Sequence, residues 1–148
     1  MATQHPIDTT PRPDLDAALI SVTGELFDSA HLARSAVAML EAANGSDEDD
    51  TLQAVMSVAR TIDRNAYGSA TALMGVKMGD ASETKGAFGR GKDSLYDVAA
   101  LADGAIVMLH GVEQYGDRND LVAVSRVLRT MRDLAWDRAG EPMGADHA

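Results

Sequence analysis

Two short spacings place an imidazole beside a carboxylate: Asp28-x-x-His31 and His110-x-x-Glu113. On a helix, residues three apart share a face, and di-metal helical bundles draw their ligands from pairs of this kind. Such centres need two carboxylate-x-x-His pairs running in the same order, with further carboxylates from the other helices. Here the second pair is reversed, Asp28 points away from its own helix's apolar stripe, and the second helical segment offers only Asp63 near its middle. His31, His110 and Glu113 are thus weak candidates for a metal or small ligand. The plainer expectation puts His31 beside the core near Phe27 and has His110 capping or packing next to Ile106. No cofactor is expected.

The segment Gly86-Ala87-Phe88-Gly89-Arg90-Gly91-Lys92 matches G-x-x-x-x-G-K, the loop whose backbone N–H groups cradle phosphates. The next residue is Asp93, where a phosphate loop has the Ser or Thr that ligates magnesium, and no apolar strand precedes it. A glycine-rich connection between helices is the expectation. Nucleophilic catalysis would need a hydroxyl, a base and a carboxylate together, and no Gly-x-Ser-x-Gly elbow or comparable signature offers them. Arg126, Arg129 and Arg132 form a row three residues apart that would suit a partner's carboxylates or a phosphate. Its plainer expectation is a solvated face, paired with Asp133 or with the acidic first half of the chain.

Ala100, Gly104 and Gly111, with Val107 and Met108, line one side of the third helical segment. A glycine inside a helix costs about 1 kcal/mol relative to alanine, so close packing is expected there. The partner would be the first or fourth helix of the same chain, or the equivalent helix of a second copy, since a two-fold contact would make the ridge self-complementary.

The elements that carry these residues follow from apolar periodicity. The 148 residues suffice for one domain, 45% hydrophobic but only 4% aromatic and without cysteine, a composition that suits Ala-rich, closely approaching helices and excludes disulfides and thiolate sites. Leu15, Leu19, Val22, Leu26, Ala33 and Leu40 recur at spacings of three and four, one stripe of a helix over 14–44 that Ile20, Phe27 and Val37 widen. Leu52, Val55, Ala59, Ile62, Ala66 and Leu73 mark a second over 47–78, with Ser46 as N-cap and Asp47 to Asp50 in its first turn. After a loop at 79–92, Leu95, Val98, Ala102, Ala105 and Leu109 mark a third helix over 93–115, capped by Ser94 and with both faces buriable. Leu121, Val124, Leu128, Met131 and Ala135 mark a fourth over 118–139. The expected fold is all-α: an up-down four-helix bundle of two antiparallel hairpins, one domain over 14–140, with a disordered N-terminal arm at 1–13 and tail at 141–148. No internal repeat stands out; the hairpins look alike only as antiparallel helix pairs do.

The formal charge of −10, with the deficit concentrated before Lys85, disfavours direct nucleic-acid binding. The start lacks a basic stretch followed by an apolar one, and the most apolar run, Leu95 to Val112, holds Asp97 and Asp103. A cytoplasmic protein with no membrane span is expected. The leading functional expectation is a non-enzymatic bundle of bacterial type, homodimeric, that acts through protein–protein interaction or regulates a partner protein. The alternatives are a bundle holding a metal or small ligand, and an acidic inhibitor that mimics nucleic acid through Asp47 to Asp50.

Overall fold

The computed structural model describes residues 14–45 and 49–140, which form four helices, α1 (Leu15–Asn44), α2 (Asp50–Met74), α3 (Ala81–His110) and α4 (Asn119–Gly140), with a 3-10 turn at Tyr115–Asp117 before α4. The expected arm and tail, and the proposed Ser46 cap with Asp47 and Glu48, lie outside the described residues. Three of the starts have an aspartate as N-cap. Asp14 accepts from the Ala17 N–H at 3.0 Å, Asp49 from Thr51 and Leu52 at 2.8 and 3.1 Å, and Asp80 from Glu83 at 3.1 Å. Each satisfies N–H groups that have no partner inside the helix. Gly45, at φ 55°, closes α1, as Asn44-Gly45 predicts.

Four boundaries differ from expectation: α2 is capped by Asp49 and begins at Asp50, not at 47, and α3 ends at His110, not at 115, where Gly111 turns the chain; the other two are the end of α2 and the start of α3. α2 stops at Met74 rather than Met78, with the chain turning at Gly75. The segment expected as a loop at 79–92 is instead the first third of α3, which begins after Asp80 and not at Ser94. Its buried stripe is Thr84, Ala87, Phe88, Gly91 and Leu95. That stripe has helical spacing, but only when threonine, alanine and glycine are counted as core.

Cross-helix contacts give the topology. Glu41 meets Arg60, Arg34 meets Asp63 and Phe27 meets Tyr67, so α1 and α2 run antiparallel. Tyr96 with Trp136 and Asp103 with Arg132 do the same for α3 and α4. Asp16 with Thr84 and Val22 with Gly91 step along α1 and α3 in the same direction, so that diagonal pair is parallel. Around the bundle α1 packs on α2, α2 on α3, α3 on α4 and α4 on α1, with α1 and α3 also touching across the middle while α2 and α4 stay apart. This is the all-α four-helix bundle that the spacing predicts.

Leu19, Leu26, Leu40, Leu52, Ile62 and Leu109 are among the fully buried side chains of a single core. Ile20, expected to widen the α1 stripe, is 62% exposed instead. α3 is not enclosed on both sides: Ala100, Gly104, Val107 and Gly111 are exposed. Among the described residues no helix is long and apolar enough to cross a membrane.

Candidate interaction surface

The outer surface of the α3/α4 hairpin is built by residues seven apart on α3 meeting residues four and three apart on α4. Tyr96 and Trp136 stack edge to face, centroids 5.3 Å apart and planes at 76°. One turn of the bundle further, the Arg132 guanidinium donates to Asp103 and to Asp133, each at 3.0 Å. The Asp133 and then the Asp103 carboxylate hold that guanidinium above its ordinary pKa, because both hydrogen bonds favour the charged form. Beyond that, Arg129 Nη2 lies 3.1 Å from His110 Nε2, with Ser125 Oγ 3.4 Å from the same atom and the Tyr115 ring 4.7 Å from the imidazole. A guanidinium has no acceptor, so in this contact His110 Nε2 accepts.

Between the aromatic pair and the ion pair lies an open cleft of about 340 Å³, lined by Tyr96, Ala99, Ala100, Asp103, Arg132 and Trp136 among others. Trp136 is 60% exposed and Val107, further along the same side of α3, is 67% exposed. A tryptophan so placed keeps a large apolar ring in water, a feature enriched where partners dock.

Of the ridge residues Ala100, Gly104, Val107, Met108 and Gly111, Ala100 lines this cleft and the others follow it along α3, Met108 half-buried and the rest exposed. The expectation that α1 or α4 of the same chain packs on them is wrong: a Cβ added at Gly104 would find nothing within 4 Å. Gly111 lies just past the end of α3, with its N–H bonded to carbonyls of the last turn. The arginine row is also not a uniform solvated face. Arg126 and Arg129 are exposed, Arg129 beside His110, while the half-buried Arg132 pairs with Asp133, as expected, and also with Asp103 of its own hairpin rather than with the acidic first half.

The metal candidates are not brought together. His31, His110 and Glu113 are all exposed, and among the described residues no three His, Asp or Glu side chains are grouped to hold a metal ion. His31 is exposed on α1, and His110 stands in the last turn of α3 with the Tyr115 ring and the Arg129 guanidinium against its imidazole. The phosphate-loop pattern Gly86 to Lys92 lies inside α3, where the N–H groups that would cradle a phosphate are consumed by the helix. The acidic run is partly accounted for by Asp49, whose carboxylate caps α2. Sequence reasoning passed over Trp136 and Tyr96. The available signal was a lone tryptophan one position off the inner stripe of α4, next to Ala135.

Comparison with protein-family models, with curated proteins and with solved structures gave no match.

Proposed function

We propose that this protein works by protein–protein association, first with a second copy of itself, through the outer face of α3 and the adjoining edge of α4. The observation that carries this reading is the exposure of Val107 and Trp136 beside a glycine, Gly104, whose missing side chain nothing in its own chain fills. Small residues let another backbone approach closely, and an aromatic ring at the edge of such a strip supplies the buried anchor of an interface.

Charge supports a two-fold contact. The N-terminal half of this face carries Asp93 and Asp97, while the α4 residues beside its C-terminal half are Arg126 and Arg129. An antiparallel contact of two α3 helices centred on Gly104 sets Ala100 of one copy against Met108 of the other. The same contact brings the acidic end of each copy to the basic end of its mate. That complementarity is isologous, as a closed dimer requires.

The test is light scattering behind size-exclusion chromatography over a wide concentration range. The expected result is a dimer that W136E or V107E converts to monomer without loss of helicity. A wild-type chain that stays monomeric at the highest concentration overturns the proposal. If the same surface instead regulates a different protein, W136E abolishes that binding while the wild type is monomeric.

A further inference from the structure

The contacts on the outer faces of the two hairpins repeat with one constant offset. Phe27, Arg34 and Glu41 on α1 stand 69 positions before Tyr96, Asp103 and His110 on α3, and their partners Tyr67, Asp63 and Arg60 on α2 stand 69 before Trp136, Arg132 and Arg129 on α4. The aromatic pairs match in geometry as well as place: centroids 5.5 and 5.3 Å apart, planes at 76° in both. α2 begins at Asp50 and α4 at Asn119, again 69 apart.

With that register in hand the sequence itself repeats. ARSAVAML at 33–40 aligns with ADGAIVML at 102–109, and LQAVMSVARTIDRNAYGSA at 52–70 with LVAVSRVLRTMRDLAWDRA at 121–139, where eight of nineteen positions are identical. Shared burial explains matches such as Leu52 with Leu121 and Val55 with Val124. It does not explain Asp28 with Asp97 or Arg60 with Arg129, which are exposed and which helix packing leaves free to vary.

We infer that this chain is a tandem duplication of one helical hairpin, its halves related by a pseudo-two-fold axis that runs along the bundle between Val22 and Gly91. Those two residues are themselves 69 apart and face each other across the middle of the molecule, where a Cβ at Gly91 would lie 2.5 Å from Val22 Cγ1. Equivalent positions meet only on a symmetry axis. Two valines would collide there, so one repeat has valine and the other glycine. The packing obeys the same operation: it exchanges the α1–α2 and α3–α4 contacts, exchanges α2–α3 with α4–α1, and returns the α1–α3 contact to itself, all of which are present.

One difference between the halves has a physical role. The ion pair is inverted: Arg34 with Asp63 in the first hairpin, Asp103 with Arg132 in the second. In a duplicated chain each helix has two near-identical candidates for a hairpin mate. If α1 took α4, Arg34 would meet Arg132, and α3 with α2 would set Asp103 against Asp63. Like charges thus disfavour the exchange. The inversion also separates the surfaces: the Arg34 guanidinium sits over the Tyr67 ring at 5.2 Å, whereas Asp103 leaves Trp136 uncovered and its cleft open.

The test is thermal unfolding of four full-length variants. G91V should lose most of the stability, and V22G/G91V should recover more than half of the lost transition temperature. Grafting residues 121–137 onto positions 52–68, together with R34D to complete the ion pair, should give a helical protein with a cooperative transition near that of the wild type. The same graft with its first two heptads exchanged keeps the apolar spacing but not the equivalence, and should melt well below it. Equal transitions for the two grafts, or no recovery in V22G/G91V, would overturn the duplication and its axis.

Discussion

Val22 and Gly91 occupy the same space from opposite sides: Val22 Cγ1 lies 2.5 Å from where a Cβ at position 91 would stand, and Leu73 Cδ1 lies 3.0 Å from it. Val22 is β-branched and held to one rotamer in a helix, so it cannot swing aside. G91A should therefore destabilise by about 1–3 kcal/mol through overpacking, although alanine is the better helix former. G104A is the counter-case: with nothing within 4 Å of the added Cβ, it should stabilise the isolated chain by about 0.5–1 kcal/mol. Denaturant unfolding of the two variants checks both signs.

Ser29 Oγ is buried, with no hydrogen-bond partner among the described residues, while its counterpart 69 positions on is Val98. An unsatisfied buried hydroxyl carries a desolvation cost that an apolar group avoids. S29A should raise stability by about 1 kcal/mol, visible as a higher denaturant midpoint with an unchanged slope. A lower midpoint would mean that the hydroxyl is satisfied in solution.

How much of this was legible beforehand depended on which residues had to be recognised as core. α1, α2 and α4 announce themselves through leucine and valine at spacings of three and four, and the spacing requires a bundle. The first third of α3 was hidden because its inner positions are Thr84, Ala87 and Gly91 and its outer ones include Gly86 and Gly89, a composition that reads as loop when propensity is weighed alone. Tertiary packing on Val22 and Leu73 overrides that propensity. Asp80 with Glu83 three positions on was the local sign that a helix begins there. The duplication was invisible for a related reason. About half of the aligned positions differ, and some, such as Arg34 and Asp103, differ by reversal of charge. Only the geometry of the paired contacts supplies the register that makes the remaining identities count. At the candidate surface, the glycine ridge was marked by its cost to helix formation, but whether it faced inward or outward could not follow from α3 alone. Trp136 is the feature the stripe analysis left out, because it falls outside the inner face.

Trp136 and Val107 contribute little to the fold of the isolated chain, because both keep most of their surface in water. W136E should alter unfolding stability by about 0.5 kcal/mol or less, the usual range for exposed positions, with an added small loss of the Tyr96 stacking. On the proposed reading it lowers self-association by at least tenfold, about 1.4 kcal/mol, since a central aromatic is the expected anchor. Sedimentation equilibrium of W136E beside T130E, an exposed α4 change away from the cleft, separates a surface-specific effect from a general charge effect. Equal loss in both variants would remove Trp136 from the interface.

Arg118 ties the start of α4 to the end of α1. Its Nη2 donates to the Ala43 carbonyl at 2.7 Å and to Asp120 Oδ2 at 3.1 Å, while Asp120 Oδ1 accepts from the Leu121 N–H at 2.8 Å. Partial burial pushes the Asp120 pKa up, but the hydrogen bonds from Arg118 and Leu121 and the Arg118 charge outweigh it, so it lies below the ordinary 3.8. A carboxylate with a depressed pKa in the folded state adds stability above its unfolded value and loses it as pH falls through the folded one. Asp120 is about half exposed, so solvent screening limits the charge contribution to about 0.5 kcal/mol. D120N keeps an acceptor for the Leu121 N–H but puts an NH2 donor where Oδ2 accepts from Arg118, so it removes the charge and that hydrogen bond together. It should melt slightly below the wild type at neutral pH, and the gap should close as pH drops below 3.8. R118A removes both donors, leaves the half-buried Ala43 carbonyl without this partner, and should cost about 1–2 kcal/mol at neutral pH. Because R118A also removes the Arg118 hydrogen bond and charge that help to lower the Asp120 pKa, the R118A/D120N pair should be less than additive at neutral pH and additive in acid. Thermal melts of the four proteins across that range measure the coupling, and additivity at neutral pH would show that the two side chains do not act together.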